Sequence, residues 1–503
     1  MTERTAFIEA AMSYSAIFRA TLPETALEVA ALLVLVVDLV LSRRKEDQDD
    51  RTTLAAVLGV FGCAASFWAV CAGGWRGWNI DAGLLRPYLP LAGHDVYQVA
   101  ILVLTALTLL LLIDSEFTRN PGEYVSVVLM AAAGGLIVAT AFDLLVIFVG
   151  LELLSLGLYI LTAFAKQSGK SAEAALKYYL FGGMSAAFLL FGFSYLYGIS
   201  GSTNLIRVMR GVNYAGANGG APLILIAFVM IAAGLGFKVA AVPFHFWAPD
   251  TYEGAPAPSA AFIASVSKVA SFALLISISS TLCWTPGIFT AWPRILTVLA
   301  AASMVLGNLA ALAQSSVRRL LAYSAIAHAG YILLGLAFYS WTNVTAEPVF
   351  YYIVTYGLTT IGAFGVVGVV ERATGSDKLD SFLGLHKRNP LLAAVLLVLF
   401  LSLAGIPPLV GFWAKFNLFA AVLAVGAGPV SFTLVALAIA FSAVSLYYYL
   451  QVLKRAYVMP AVDETPIQAH PVTLAVLLVI AAAVVVLGCF PALLQSWIAS
   501  FYA

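Results

Sequence analysis

Four basic residues lie inside long apolar runs, and all four are lysines: Lys177, Lys238, Lys268 and Lys415. An arginine stays protonated almost whatever surrounds it and makes a poor proton relay. A lysine taken out of water gives up its proton far more readily. Placing either charge at mid-membrane costs about 2.5–3.5 kcal/mol on the insertion scale, so such residues are usually functional. The acids are sparser: Glu152 stands in the middle of DLLVIFVGLELLSLGLYIL, Asp143 opens that run, and Glu28 and Asp38 lie in the first apolar run. Glu152 needs a cation, and Lys238 is the natural one. With His245 and His328, these side chains form a set suited to handing protons along.

Spacing sharpens this reading. GLGFKVAAVPFHFWAPD sets Lys238 five residues before Pro243 and seven before His245, and LSLAGIPPLVGFWAKF sets Lys415 seven residues after Pro408. Proline breaks a helix, and a break inside a membrane is tolerated only in protein or beside water. Two broken helices in corresponding halves point to inverted transporter repeats. Both breaks are therefore expected to border hydrated cavities. Blander readings compete for each residue. Lys238 and Lys415 would serve as snorkelling anchors, Lys177 would only pair with Glu173 four residues earlier, and the histidines would only hydrogen-bond neighbouring helices.

The elements that must hold these residues follow from composition. The chain has 503 residues, 62% hydrophobic and only 10% charged, against about 25% charged in a soluble domain. Soluble enzymes, disordered regulators and fibrous proteins are excluded. With 26 Lys+Arg against 25 Asp+Glu, no basic surface for nucleic acid is suggested. Apolar runs predict fourteen spans, at roughly 22–41, 54–73, 96–113, 124–141, 143–164, 174–198, 222–247, 259–282, 293–314, 319–339, 348–371, 390–424, 430–456 and 472–499. The fold expected is an all-α polytopic membrane protein with two inverted five-helix repeats, spans 4–8 and 9–13, and broken spans 7 and 12. Its segments are 1–121, an N-terminal three-helix unit; 122–284 and 285–458, the two repeats; and 459–503, a C-terminal helix. The first span reads as a retained helix rather than a signal peptide.

The connections after odd-numbered spans carry 15 basic residues and the other side 7. By the positive-inside bias the odd connections face the cytoplasm and both termini the outside. Cys63, Cys71, Cys283 and Cys489 show no metal, cluster or disulfide spacing.

The segments VGLELLSLGLYIL, GFKVAAVPFHFWAPDTYEGAPAP, RRLLAYSAIAHAGY and LSLAGIPPLVGFWAKF resemble the antiporter-like subunits of respiratory complex I, a fold shared with multisubunit Na⁺/H⁺ antiporters. Lysine at 415, the opening LPETALEVAALLVLVVDLVL, Lys177, the stretch SDKLDSFLGLHKRNPLLA and the lack of a long lateral helix after span 14 resemble subunit N, the smallest of three siblings. The resemblance covers essentially the whole chain. It implies a proton-translocating subunit of the membrane arm of a bacterial NADH–quinone oxidoreductase, in the inner membrane. Glu152 and Lys238 would form an ion pair, Lys268 would connect the halves, His328 would follow it on the central axis, and Lys415 would lie on the exit side. His245 would organise water in the first break, and Lys177 would join the proton-transfer set. No cofactor or metal is implied in this chain; flavin, iron–sulfur clusters and quinone are expected in partner subunits, and its membrane-arm partners are expected to include the sibling antiporter-like subunits. The alternatives are a subunit of a multisubunit cation/proton antiporter and a non-conducting scaffold subunit.

Overall fold

A computed structural model describes residues 18, 21–43, 48–75, 95–282, 289–339, 345–426, 428–461 and 463–502. Cys283 and the boundary between 284 and 285 lie outside the described residues, as do Arg4, Arg19, Arg44, Lys45, Arg76 and Arg86 of the charge comparison. Among the described residues thirteen helices are long and apolar enough to cross a membrane, and two shorter apolar helices, Pro390–Ala404 and Val410–Val425, form the broken span 12. Together they give the fourteen spans expected. Spans 1–6 are Leu22–Arg43, Gln48–Trp75, Asp95–Leu111, Pro121–Thr140, Leu144–Thr162 and Gly169–Ser200. Span 7 runs Ala221–Lys238, unwinds, and resumes as Trp247–Gly254; span 8 is Ala257–Ala264 and Val266–Leu282. Spans 9, 10, 11, 13 and 14 are Ala291–Leu312, Val317–Ala337, Ala346–Thr374, Pro429–Tyr457 and Pro471–Cys489.

The repeats show the same local chemistry on opposite membrane faces. Span 5 starts at Asp143, whose carboxylate caps the backbone N–H of Leu145 and accepts from the Thr203 hydroxyl. Span 10 starts at Ser316, whose hydroxyl caps Arg319 N–H and donates to Asp377. Such caps satisfy the orphan N–H groups of a helix start. Asp143 pairs with Asn204 in an isolated antiparallel bridge, and Ser316 with Lys378. Each bridge ties the start of a repeat's second helix to the connection entering its fourth. Because spans 4 and 9 differ in parity, the two bridges face opposite sides of the membrane.

Packing decides which spans can hold polar side chains away from lipid. In its most apolar window, span 8 is 100% buried and spans 10 and 11 are 94% and 83% buried, against 22% for span 1. The centre of the bundle is thus spans 8, 10 and 11, which carry Lys268 and His328.

Two stretches depart from the expected layout. The connection 199–221 contains a helix, Leu205–Ala217, that buries Leu205, Val208 and Val212; that spacing is a helical stripe. Span 14 ends at Cys489, and Pro491 precedes a separate helix, Ala492–Tyr502, as a residue without an amide proton requires.

Candidate functional site

Where span 12 stops at Ala404, Gly405 turns the chain in the left-handed region, at φ 88°, a conformation glycine adopts without steric cost. The last carbonyls of that half-helix lack intrahelical donors. Lys415 supplies them: its Nζ donates to Leu403 O at 3.0 Å, Ala404 O at 2.9 Å and Ser442 Oγ at 2.8 Å. Its ammonium also lies 5.5 Å from the Tyr331 ring centroid. A cation at a helix C-terminus is favoured by the helix dipole as well.

The break in span 7 does the same for another lysine. Val239 caps the first half-helix, and its carbonyl accepts from Lys268 Nζ at 3.3 Å, while Ala325 O on span 10 accepts at 2.8 Å. The break also binds itself to its surroundings through Val242 N–H to Ser303 Oγ and the Trp247 indole to Phe237 O, both 2.9 Å. Freed carbonyls are satisfied by ammonium groups, Pro243 borders an apolar cavity of about 310 Å³ lined by Phe181, Met184, Phe188 and Phe246, and Pro408 is exposed on the chain's surface.

Lys238, the last helical residue before the break, is buried, and its Nζ donates to Ser155 Oγ at 2.5 Å. Among the described residues no carboxylate lies within 4.0 Å of Lys238 Nζ, although Glu152 is near enough to act on its charge. Helix geometry gives the reason. Ser155 is 2% exposed and faces span 7, whereas Glu152 is half-buried on a stripe with Leu145, Val149, Leu156 and Ile160, all at least 50% exposed. The serine one turn along meets the ammonium first.

Between Lys268 and Lys415 stands His328, buried on span 10. Its Nδ1 is 2.8 Å from the Tyr352 hydroxyl, its Nε2 is 3.5 Å from that of Tyr449, and its ring centroid is 4.8 Å from that of Tyr356. Tyr356 in turn lies 5.9 Å beneath Lys268 Nζ. Asn308 joins Tyr331 and Tyr448 at 3.1 Å each. A void of about 10 Å³ beside the span 12 break touches His328, Tyr352, Thr355, Tyr356 and Ser402, about the room one water needs. This tyrosine shell was missed in the sequence. Its signal was the runs Tyr351-Tyr352 and Tyr447-Tyr448-Tyr449, since hydroxyls buried in apolar spans need partners.

Lys177 and His245 lie apart from this line. Lys177 pairs with Glu173 at 2.7 Å and with Asp250 at 2.8 Å, and Asp250 also receives Arg319 at 2.7 Å. His245 is buried in the break with an unpartnered Nδ1, its ring 4.5 Å from Phe246. Asp38 is held by Arg51 at 2.9 Å.

A line of amines and hydroxyls running through the breaks of two inverted repeats defines an antiporter-type membrane subunit, and residues 141–446 match the family described as NADH:quinone oxidoreductase/Mrp antiporter, TM. A chain of the Mrp complex from Dietzia sp. DQ12-45-1b shares the fold, with TM-score 0.75 at 21% identity over 95% of this chain and 96% of that one. The relation narrows at higher identity. NADH-quinone oxidoreductase subunit N 2 of Acidobacterium capsulatum is 47% identical over 97% of this chain and 99% of its own length. A chain of respiratory complex I from Thermus thermophilus is 34% identical, with TM-score 0.76 over 94% of this chain and 98% of that one. The chain belongs to the subunit N family of NADH-quinone oxidoreductases.

Proposed function

We propose that this chain is a proton channel of the membrane arm of a bacterial NADH-quinone oxidoreductase, driven by quinone reduction in other subunits. The observation that carries the reading is the spacing of Lys238, Lys268, His328 and Lys415 through the bundle's centre, each held by carbonyl or hydroxyl groups. Such cradles bind an ammonium without a permanent counter-charge, so the amine is free to be neutral or charged as the proton passes. Closing Lys238 onto Glu152 would stabilise its proton; opening the pair would push that proton toward Lys268, and from there past His328 to Lys415. Flavin, iron–sulfur clusters and quinone belong, on this reading, to partner subunits. The stripe of exposed leucine, valine and isoleucine around Glu152 favours a neighbouring membrane-arm subunit there, because a carboxylate facing lipid is costly.

Lys268→Met keeps the side chain's length and removes its proton. In assembled complex, protons pumped per NADH oxidised should fall sharply; full pumping would defeat the reading and favour the scaffold. Both termini are placed outside, on the basic asymmetry. A cysteine at Gly428 should then react with an impermeant thiol reagent added to intact cells, and one at Ser376 should not; the reverse inverts the topology.

A further inference from the structure

Span 6 carries charged and then apolar residues along one face. Lys170, Glu173 and Lys177 stand at steps of three and four residues, and Phe181, Met184 and Phe188 continue the same stripe. The second half of span 7, Trp247–Gly254, lies against that face. Gly254 sets the close approach, since a Cβ there would stand 2.5 Å from that of Ala174. Two cavities open between these elements. The one on the basic-rich face, about 190 Å³, is lined by Lys170, Glu173, Lys177, Asp250, Glu253 and Arg319. The deeper one, about 310 Å³, is lined by Phe181, Met184, Phe188, Phe244, Phe246 and Trp247.

Depth fits the two cavities to one molecule. Lys177 is the last charged residue before span 6 ends at Ser200, so it marks the level where the apolar core of the membrane begins. Tyr179 is exposed at that level, where aromatic rings gather. At 1.5 Å per residue, Phe181 lies about 6 Å below Lys177 and Phe188 about 16 Å below it. That is the depth of one leaflet, half of a core about 30 Å thick. The deeper cavity opens sideways, since Met184 is 53% exposed and Phe246 64%. Charge selects the headgroup. Three cations face three carboxylates in the outer cavity, and most are paired tightly: Lys177 with Asp250 at 2.8 Å, Arg319 with Asp250 at 2.7 Å and with Glu253 at 2.9 Å. The looser ends are Lys170, which reaches Glu253 only at 3.6 Å with its side chain 77% exposed, and Glu173, whose side chain is 65% exposed. One spare cation and one spare carboxylate, three residues apart, match a zwitterion. A net anionic headgroup would find no second free cation among the carboxylates.

We propose that this groove binds one zwitterionic phospholipid with a primary-ammonium headgroup. Its phosphate sits on Lys170, its ammonium donates to Glu173, and one acyl chain fills the apolar cavity beside the break of span 7. The chain packs on Phe244 and Phe246, which flank the buried His245, and on Pro243. Phe237 forms part of the same wall, and its ring lies 5.8 Å from Lys238 Nζ on the other side. The lipid thus completes the apolar wall behind the first buried lysine and covers the unwound backbone, which a membrane tolerates only when shielded.

The test uses the whole complex in phosphatidylcholine vesicles, doped at equal mole fraction with phosphatidylethanolamine or phosphatidylglycerol bearing a photoreactive group in the acyl chain. After illumination, attachment sites are mapped by peptide mass. The ethanolamine probe should label residues 181–188 and 243–247 about threefold or more above the glycerol probe, the scale of one exposed ion pair. Glu173→Gln changes one exposed side chain and should abolish that preference. Met184→Trp fills the cavity and should remove the label from both probes; should it fail to assemble, Glu173→Gln alone decides. Equal labelling by the two probes, or a preference that survives Glu173→Gln, overturns the site and leaves an ordinary lipid-facing surface. No label from either probe, or cross-links to a partner subunit from a photoreactive residue at position 184, shows the groove covered by protein and overturns it as well. None of these readouts depends on pumping, so the site stands or falls apart from the proton-channel reading.

Discussion

The partner of Lys238 is the place where a small change should have a large, calculable effect. Among the described residues its ammonium donates one side-chain hydrogen bond, to Ser155 Oγ at 2.5 Å, and the Ser155 hydroxyl donates in turn to Leu151 O. On the proposed reading, this arrangement would be the open form of a two-state switch, with no carboxylate within 4.0 Å of the ammonium among the described residues. A hydrogen bond to a charged group is worth about 1.5–3 kcal/mol. Ser155→Ala deletes it without touching either charge and should move the balance toward the Glu152-bound form by roughly 10–150-fold, at about 1.4 kcal/mol per tenfold. If Lys238 must visit the open form to send its proton on, turnover should fall by about tenfold or more while the complex still assembles. Ser155→Thr, which keeps the hydroxyl, should recover most of it. The assay is NADH-driven acidification of inside-out vesicles, read together with quinone reductase rate and native-gel assembly. Glu152→Ala and Lys238→Ala complete the cycle: groups acting as one switch lose function non-additively, so the double variant should be no worse than the weaker single. Normal rate and normal pumping in Ser155→Ala, or losses that multiply in the double variant, would refute the switch.

Two further outcomes are expected. Lys415→Arg keeps the charge but not the capacity to lose a proton, and its larger head must fit beside Gly405, so pumping should be lost; Lys415→Met should assemble, because about 2–6 kcal/mol for two orphaned carbonyls is offset by several kcal/mol of charge desolvation relieved. Native gels and proton-to-NADH ratios decide, and full pumping by Lys415→Arg would restore the anchor reading. Asp250 accepts from Lys177 at 2.8 Å and from Arg319 at 2.7 Å, pairings that last only while its carboxyl is ionised, so their contribution is lost as pH falls through the acid range. That contribution is at most about 1 kcal/mol for so exposed a pair. Asp250→Asn should flatten the acid limb of thermal stability between roughly pH 5 and 3, and an unchanged limb would show that other carboxylates set it.

The spans and both breaks were legible because lipid imposes long apolar runs and because proline leaves a mark no neighbour can hide. The lysines were legible for a related reason: a charge inside such a run is costly and must find a partner in the protein. What stayed hidden is what depends on facing direction. Nothing in VGLELLSLGLYIL tells that Ser155 rather than Glu152 turns toward span 7, since both are one helical turn apart and the difference is a rotation. The tyrosines around His328 come from spans 10, 11 and 13, and their runs read as ordinary aromatic content until three-dimensional packing brings them together.

The two breaks also explain why lysine stands at the chain's buried positions. A helix end buried in protein must have its last carbonyls satisfied, and here an ammonium does so in both repeats, Lys268 at Val239 and Lys415 at Leu403 and Ala404. The same carbonyls that need a donor for structural reasons provide a partial negative charge that steadies a cation. Water would satisfy them as well, so the amine is not indispensable to the fold, and each break keeps its shape whether the lysine is charged or neutral. A guanidinium would lock one state. A carboxylate partner would do nearly the same, by fixing the proton with a full charge. On the proposed reading, carbonyl cradles at Lys268 and Lys415, and a carboxylate within electrostatic reach of Lys238, would make the first lysine the place where conformation sets the proton's energy and the later ones the places through which it passes.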